Sequence, residues 1–193
     1  MQAADESETA ASLDSALEEI DRLDHLASSL LVLARTRAAG PPPDRAFGLR
    51  DAVDRAVQDA LAVRRPAGDP VAVRVEGDLE ARGDAQAMER AVRNLVENAL
   101  RHARTEVAVS MHRDDGDAIL RVRDDGPGFP PDLLVAGVDR FTPGDNPANH
   151  GGAGLGLAIV DAITRAHGGT LVLTNDRGAS AELRFPLVTT APV

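Results

Sequence analysis

The 193-residue chain contains no cysteine, which excludes disulfides, thiolate chemistry and cysteine-based zinc sites. Lysine is absent as well, so all 21 basic residues are arginine. No apolar run approaches the roughly 18 residues needed to cross a bilayer. The N-terminus is polar rather than signal-like. We therefore expect a cytoplasmic protein in which this segment makes no membrane contact.

A strong positive charge is also missing. The formal net charge of −10 at pH 7 argues against a nucleic-acid partner, which would require a basic stripe. The hydrophobic content of 43% and the charged content of 27% are typical of a soluble globular protein. An acidic chain that binds an anionic ligand must concentrate its arginines locally or use a metal ion.

An apolar helical pattern occupies the N-terminal part of the chain. Its heptad positions include Leu13, Ile20, Ala27 and Ala34, which predicts a helix that belongs to a bundle. Gly40 and the prolines after it end this helix and form a short, stiff linker. The predicted organisation is a disordered tail (1–11), the bundle helix (12–39), the linker (40–45), a folded domain (46–188) and a C-terminal tail (189–193).

Helical and strand patterns alternate through the folded domain. Predicted helices cover residues 51–64, 85–103 and 155–167, and Asp84 is the expected N-cap of the second. Predicted strands cover residues 71–75, 106–111, 118–123, 171–173 and 181–187. Helices and antiparallel strands in this order predict an α+β fold, a two-layer sandwich.

The long helix that is predicted from Ala85 has two different faces. At about 100° per residue, one face carries two amides, a guanidinium and a carboxylate, from Asn94, Asn98, Arg101 and Glu97. Polar helix faces are often only solvated. Asparagine, however, is a mediocre helix former, and a pair at i, i+4 sacrifices helix propensity. Amide oxygens suit a hard cation such as Mg²⁺, so this face is a candidate metal-binding surface.

Two glycine-rich segments are further candidates. The segment 124–128 (Asp-Asp-Gly-Pro-Gly) follows a predicted strand and is either an ordinary turn or a ligand-binding loop. In the second case its glycines let the backbone approach a flat heterocycle, and Asp124 accepts a hydrogen bond from an exocyclic amine. The segment 151–156 leads into a predicted helix, whose free N–H groups and dipole favour an anion. It matches neither a Walker loop nor a dinucleotide fingerprint.

Four motifs together resemble the conserved boxes of two-component sensor histidine kinases. Residues 94–102 (Asn-Leu-Val-Glu-Asn-Ala-Leu-Arg-His) resemble the N box, and residues 124–128 the G1 box. Residues 139–141 (Asp-Arg-Phe) resemble the F box, and residues 152–157 the G2 box. The resemblance covers residues 44–187 and implies a Bergerat-type (GHKL) ATP-binding catalytic domain. Residues 12–38 resemble the second helix of the family's dimerisation domain.

The resemblance implies roles for the N-box residues. Asn98 would ligate Mg²⁺ between the phosphates of ATP, with Asn94 in support. Arg101 would contact phosphate oxygens, and His102 would lie near the nucleotide. ATP and Mg²⁺ are the implied cofactors. The implied reaction transfers the γ-phosphoryl group to an imidazole nitrogen by positioning and charge neutralisation.

The glycine boxes would hold the two ends of the nucleotide. Asp124 would read the adenine amino group, in a pocket lined by Gly126 and Gly128. Phe141 would open a mobile lid that ends near residue 151. The triphosphate would lie against four residues of the G2 box: Gly152, Gly154, Leu155 and Gly156.

The chain departs from the family pattern at three places. The phosphoacceptor motif, histidine followed by an acid and then Arg-Thr/Asn-Pro, is absent from the sequence. His25 lacks the following acid and proline, so we interpret it as a bundle-surface residue. Asn149 and His150 stand where the family usually has arginine or lysine before the G2 box. In the last strand, Ser180 and Ala181 stand where the family often has threonine and phenylalanine, and Ser180 is a candidate for a water bridge to adenine.

Three hypotheses follow. In the favoured one, the chain transfers phosphate to a histidine in a separate dimerisation domain or partner kinase chain, with a response regulator downstream. A second is an anti-sigma-type serine kinase or ATPase of the same fold. Such ATPases place a general-base glutamate at the position of Asn94, so Glu97 would have to substitute. The third is a nucleotide-binding scaffold that transfers nothing, which the poorly basic lid supports.

Overall fold

The computed structural model describes residues 42–63, 70–138 and 153–187, together with residues 34 and 40. Apart from residue 34, the predicted bundle helix lies outside these residues, as do both predicted tails and the predicted lid. In chain order the elements are β1 (Ala46–Gly48), α1 (Leu49–Val63), β2 (Ala72–Glu76), β3 (Glu80–Arg82), α2 (Ala85–His102), β4 (Glu106–Asp114), β5 (Asp117–Asp124), α3 (Pro131–Ala136), α4 (Ala153–Ala166), β6 (Thr170–Asn175) and β7 (Ala179–Pro186).

Helices and a five-stranded sheet form two layers, as the sequence predicted. The strand order is β2-β4-β5-β7-β6, and β1 pairs with β3 in a separate two-stranded sheet. One expectation was wrong, because β2 and β4 run parallel, with Ala72 opposite Glu106. Parallel neighbours need a long crossover, and here β3 and α2 supply it between the two strands. None of the helices in the described ranges is long and apolar enough to cross a membrane.

Three short elements were not predicted. Strands β1 and β3 have three residues each, and α3 has six, which is too short for a hydrophobic period to be recognised. A further difference concerns α4, which begins at Ala153 rather than at Leu155. Gly154, expected in the loop before the helix, therefore lies with Gly156 in the first helical turn.

The central helix α2 matches its predicted design. Asp84 caps it as expected, because its Oδ1 accepts hydrogen bonds from the N–H groups of Gln86 and Ala87 at 3.0 and 3.1 Å. One side of the helix is buried against the sheet and the other helices, and each buried Leu, Val or Met there contributes roughly 1.5–3 kcal/mol. The buried residues of α2 are Met88, Ala91, Val92, Leu95, Val96, Ala99 and Leu100.

His167 joins the end of α4 to the start of α2. The backbone N–H of Asp84 donates to His167 Nε2 at 3.0 Å, so the ring proton must be on Nδ1, which donates to the carbonyl of Ile163 at 2.8 Å. Gly83, at φ +139°, allows this contact, because a Cβ there would lie 2.3 Å from the His167 ring. The two helices are therefore antiparallel, and the first turn of α4 lies beside the C-terminal half of α2.

Candidate functional site

The two asparagines on the polar face of α2 are half-buried and differ in their bonding. Asn94 donates from Nδ2 to the carbonyl of Arg90 at 2.9 Å, which fixes its amide and leaves Oδ1 without a hydrogen bond among the described residues. The side chain of Asn98 makes no hydrogen bond with the described residues. Because this amide is only half-buried, a ligand or solvent can reach it. Glu97 is half-buried and Arg101 is exposed on the same face.

The first turn of α4 lies against this polar face. A Cβ placed on Gly156 would lie 3.4 Å from Asn94 Oδ1, so the helices meet at these two residues. Gly154 and Leu155 belong to the same turn, whereas Gly152 and Phe141 lie outside the described residues. The N–H groups of a first helical turn have no intrahelical partners and attract anions. The structure thus brings an anion-binding helix start next to the amide-bearing face of α2.

Asp124 lies at the end of β5 and is only 5% exposed. Its Oδ1 accepts hydrogen bonds from the N–H groups of Gly126 at 2.8 Å and Ala179 at 3.3 Å. Its Oδ2 accepts none from the described residues, so this second oxygen is available to a ligand donor. Two backbone donors on one oxygen hold the carboxylate in a single orientation.

Gly126 and Gly128 bring the loop after β5 close to two neighbouring segments. A Cβ on Gly126 would lie 2.3 Å from the carbonyl oxygen of His102, the last residue of α2. The loop therefore touches the end of the helix that carries both asparagines, while the His102 side chain is exposed. Gly128 has φ +87°, a conformation that favours glycine. Its backbone contacts the side chain of Asn175 on β6.

Asp125 has a role that the sequence did not reveal. Its carboxylate accepts hydrogen bonds from three consecutive N–H groups, those of Arg104 (2.8 Å), Thr105 (3.0 Å) and Glu106 (3.2 Å), and from the Thr105 hydroxyl (2.5 Å). The Thr105 hydroxyl, followed by these N–H groups, holds the pKa of Asp125 well below its usual range. The second acid of the Asp-Asp-Gly motif was visible in the sequence, but its partners lie 20 residues away.

Asp125 should make the folding stability sensitive to acid. A lowered folded-state pKa means that this carboxylate stabilises the fold above its unfolded-state pKa, about 3.9, and that the contribution is lost as the pH falls below that value. We expect Asp125→Asn to unfold at lower urea concentration than the parent chain at pH 6, with the difference shrinking toward pH 3. Asp78→Asn, at an exposed position, is the control and should unfold like the parent at both pH values. A difference between Asp125→Asn and the parent that is the same at both pH values would contradict this account.

Ser180 lies on a different face of the sheet from the one expected for contact with the nucleotide. Ala179 and Ala181 belong to the core row of β7, so the alternating residue Ser180 faces away from the helices. Glu182, the next residue of that outer row, bonds Arg121 there at 2.8 Å. The residue of β7 beside Asp124 is therefore Ala179, which offers a backbone N–H and no hydroxyl.

The site also fits a metal that arrives with a phosphate ligand. No group of three or more His, Asp or Glu side chains in the described ranges could hold a metal ion by itself. Mg²⁺ in proteins usually keeps several waters and is bound by one or two protein oxygens together with substrate phosphates. The amide of Asn98, unpaired among the described residues and one turn from Asn94 on the same helix face, fits that mode of binding.

The two-layer α/β sandwich has Asp124 at one end of the candidate site and the α2 amides beside the first turn of α4 at the other; we call the region between these ends the cleft. This arrangement suits a nucleotide, and comparisons with known proteins agree. Residues 83–189 match the family model of histidine kinase-, DNA gyrase B- and HSP90-like ATPases. A probable sensor histidine kinase HK of Mycobacterium tuberculosis is 39% identical over 183 residues, 94% of this chain and 48% of the relative. Sensor histidine kinase component HK1 of the same species is 38% identical over 136 residues, 70% of this chain and 81% of the relative.

A solved structure supports the same conclusion. The ATP-binding domain of PrrB from Mycobacterium tuberculosis superposes with a TM-score of 0.60 at 26% identity, covering 76% of this chain and 98% of that one. The chain therefore belongs to the histidine kinase-type branch of these ATPases and contains the catalytic ATP-binding domain of a sensor histidine kinase. It spans about half the length of the first relative. The expected GHKL-type fold is confirmed, and the roles of single residues stay predictions.

Proposed function

We propose that this chain binds Mg-ATP and transfers the γ-phosphoryl group to a histidine located outside it. The acceptor would belong to a dimerisation domain, either on a partner chain of a split kinase or in another portion of the same protein. A response regulator would receive the phosphoryl group next, and the reaction would take place in the cytoplasm. The predicted domain organisation, with a dimerisation helix at 12–39 and the catalytic domain at 46–188, belongs to this proposal.

One observation carries the proposal: a helix start suited to an anion lies beside the amide-bearing face of α2, while the 193-residue sequence contains no acceptor motif. None of the five histidines is followed by an acidic residue. His167 is used structurally, since its ring joins α4 to α2. The relative named as a sensor histidine kinase component is similar over 81% of its own length, which supports a kinase made of separate parts.

Each end of the cleft would bind one end of ATP. Asp124 Oδ2 would accept a hydrogen bond from the adenine amino group, while Asn98 and Asn94 would face the phosphates with the first turn of α4. Asn98 would hold Mg²⁺, which would supply charge neutralisation at the phosphates. Arg101, exposed on the same helix face, would contact phosphate oxygens. An acceptor imidazole nitrogen would attack the γ-phosphorus, the bond to the bridging oxygen would break, ADP would leave, and the imidazole proton would pass to solvent.

Transfer between separate molecules tests the proposal. Mixing this chain with a histidine-bearing dimerisation domain and Mg-ATP labelled at the γ-phosphate should place an acid-labile, base-stable label on the added domain. No label should appear on the chain alone. A dimerisation domain whose acceptor histidine is replaced by glutamine should stay unlabelled, and His25→Ala in this chain should transfer like the parent.

Other outcomes would select another function. Self-labelling of this chain that disappears in His25→Ala would contradict the proposal. Normal ATP affinity without any transfer would favour the scaffold hypothesis. Steady ATP hydrolysis without a partner, lost in Glu97→Ala, would favour an ATPase.

A further inference from the structure

The hairpin that joins β6 to β7 is hydrogen-bonded to the loop that follows Asp124. Asn175, the last residue of β6, accepts a hydrogen bond from the N–H of Phe129 at 2.8 Å through Oδ1. It also donates from Nδ2 to the carbonyl of Phe129 at 2.9 Å. A planar amide that bonds both backbone groups of one residue fixes that residue's position and the direction of its peptide groups. We call this pair of hydrogen bonds between Asn175 and Phe129 the clamp; it connects segments that lie 46 residues apart.

Two glycines make this close approach possible. A Cβ on Gly128 would lie 2.8 Å from the carbon, nitrogen and oxygen of the Asn175 amide, so the amide lies flat over the Gly128 backbone. Gly178, at φ +153°, packs against the backbone of Asp124: a Cβ on Gly178 would lie 2.0 Å from the Asp124 carbonyl oxygen. The hairpin thus touches the loop at its beginning through Gly178 and at its end through Asn175.

The loop between these contacts carries the part of the site that would face the base under the proposed function. Phe129 is 8% exposed and belongs to the core, so the clamp joins the loop to a fixed point. Asp124 receives its second N–H donor, from Ala179, out of the same hairpin. A loop that is ordered before binding does not lose conformational entropy when the ligand arrives, whereas a loose one does.

We propose that Asn175 is a positioning residue for the base end of the nucleotide site. It acts through Phe129 and Gly128 by holding the loop so that Asp124 Oδ2 points to the ligand. This inference rests on the proposed function, because it requires the loop to bind adenine. It predicts that the loss of Asn175 weakens recognition of the base and leaves recognition of the phosphates intact.

The test compares two ligands on three variants. Mg-ATP probes both ends of the site, and Mg-tripolyphosphate probes only the phosphate end. We expect Asn175→Ala to bind Mg-ATP roughly tenfold more weakly, as expected from the loss of one or two hydrogen bonds. Binding of Mg-tripolyphosphate should not change. The isosteric Asn175→Asp should lose more ATP affinity, because a carboxylate oxygen would face the Phe129 carbonyl. Thr174→Ala, at the exposed neighbour on the same strand, should behave like the parent.

Each outcome decides the question. Equal ATP affinity in the parent and both Asn175 variants would overturn the inference. A parallel loss of affinity for both ligands, together with a lower melting temperature, would also overturn it, because it would indicate general destabilisation. If Asn175→Ala does not fold, the isosteric Asp variant provides the same ligand comparison. Failure of the parent chain to bind Mg-ATP would instead contradict the proposed function.

Discussion

Asn98→Ala should lower the affinity for Mg-ATP by roughly 100-fold or more. Loss of a residue that only supports a metal ligand typically lowers affinity by about 10- to 100-fold, and the proposed role of Asn98 is that of a direct ligand. The reason is that its amide is half-buried and unbonded within the described residues, and under the proposed function its oxygen would accompany a phosphate-bound cation. Alanine is the better helix former, so the substitution should not lower the melting temperature. Calorimetric titration with ATP, with and without Mg²⁺, measures the effect.

The Mg²⁺ dependence makes this prediction sharp. The parent should bind ATP much more weakly in excess EDTA, whereas Asn98→Ala should be nearly insensitive to Mg²⁺ removal. Gln86→Ala, an exposed position at the other end of the same helix, is the matched control and should titrate like the parent. If Asn98→Ala and the parent gave the same Mg-ATP titration, the assignment of the cleft would have to be abandoned.

Asp124→Asn should have the second-largest effect, at the base end of the cleft. Because Oδ1 accepts from both the Gly126 and Ala179 N–H groups, the new amide must keep its oxygen there and place its NH₂ group at the position of Oδ2. A donor would then face the adenine amino group, which is itself a donor. We expect ATP affinity to fall roughly 100-fold, as for the loss of a hydrogen bond to a charged group.

Selectivity distinguishes this effect from damage to the fold. Inosine triphosphate carries a carbonyl in place of the adenine amino group. The ratio of the affinity for inosine triphosphate to the affinity for ATP should therefore be higher in Asp124→Asn than in the parent. Asp115→Asn, in the exposed β4–β5 turn, should leave both affinities unchanged. A loss of ATP affinity in Asp124→Asn with no change in the ratio of the two ligands would argue against Asp124 as the base-reading group.

Much of the central helix was legible in the sequence. Its apolar residues recur at the helical period, and Asp84 stands where an N-cap belongs, so local chemistry alone sets its start and its buried side. The parallel pairing of β2 and β4 was missed although a signal existed. Two strands that flank an 18-residue helix form a strand–helix–strand unit, which favours parallel pairing.

The contacts around the loop after β5 could not be predicted in the same way. Asp125 bonds to N–H groups about 20 residues earlier, and Asn175 bonds to Phe129 across 46 residues. Neither distance produces a period or a spacing that a local pattern can show. Ser180 was expected on the face of β7 that would contact adenine, but the structure places Ala179 on that face. A shift of one residue in register moves a side chain to the opposite face of a strand, and the sequence pattern did not fix that register.

The sequence by itself determined the chemical inventory and its order: the amide pair on one helix face, the aspartate before the glycines, and the glycines at a later helix start. It did so because helical period, capping and glycine freedom act over a few neighbouring residues. Only the tertiary structure decided that Gly156 meets Asn94, that Asp124 uses a single oxygen for its backbone hydrogen bonds, and that a distant hairpin contacts the loop after β5. Those relations depend on sheet order and helix packing, which bring together groups far apart in the chain.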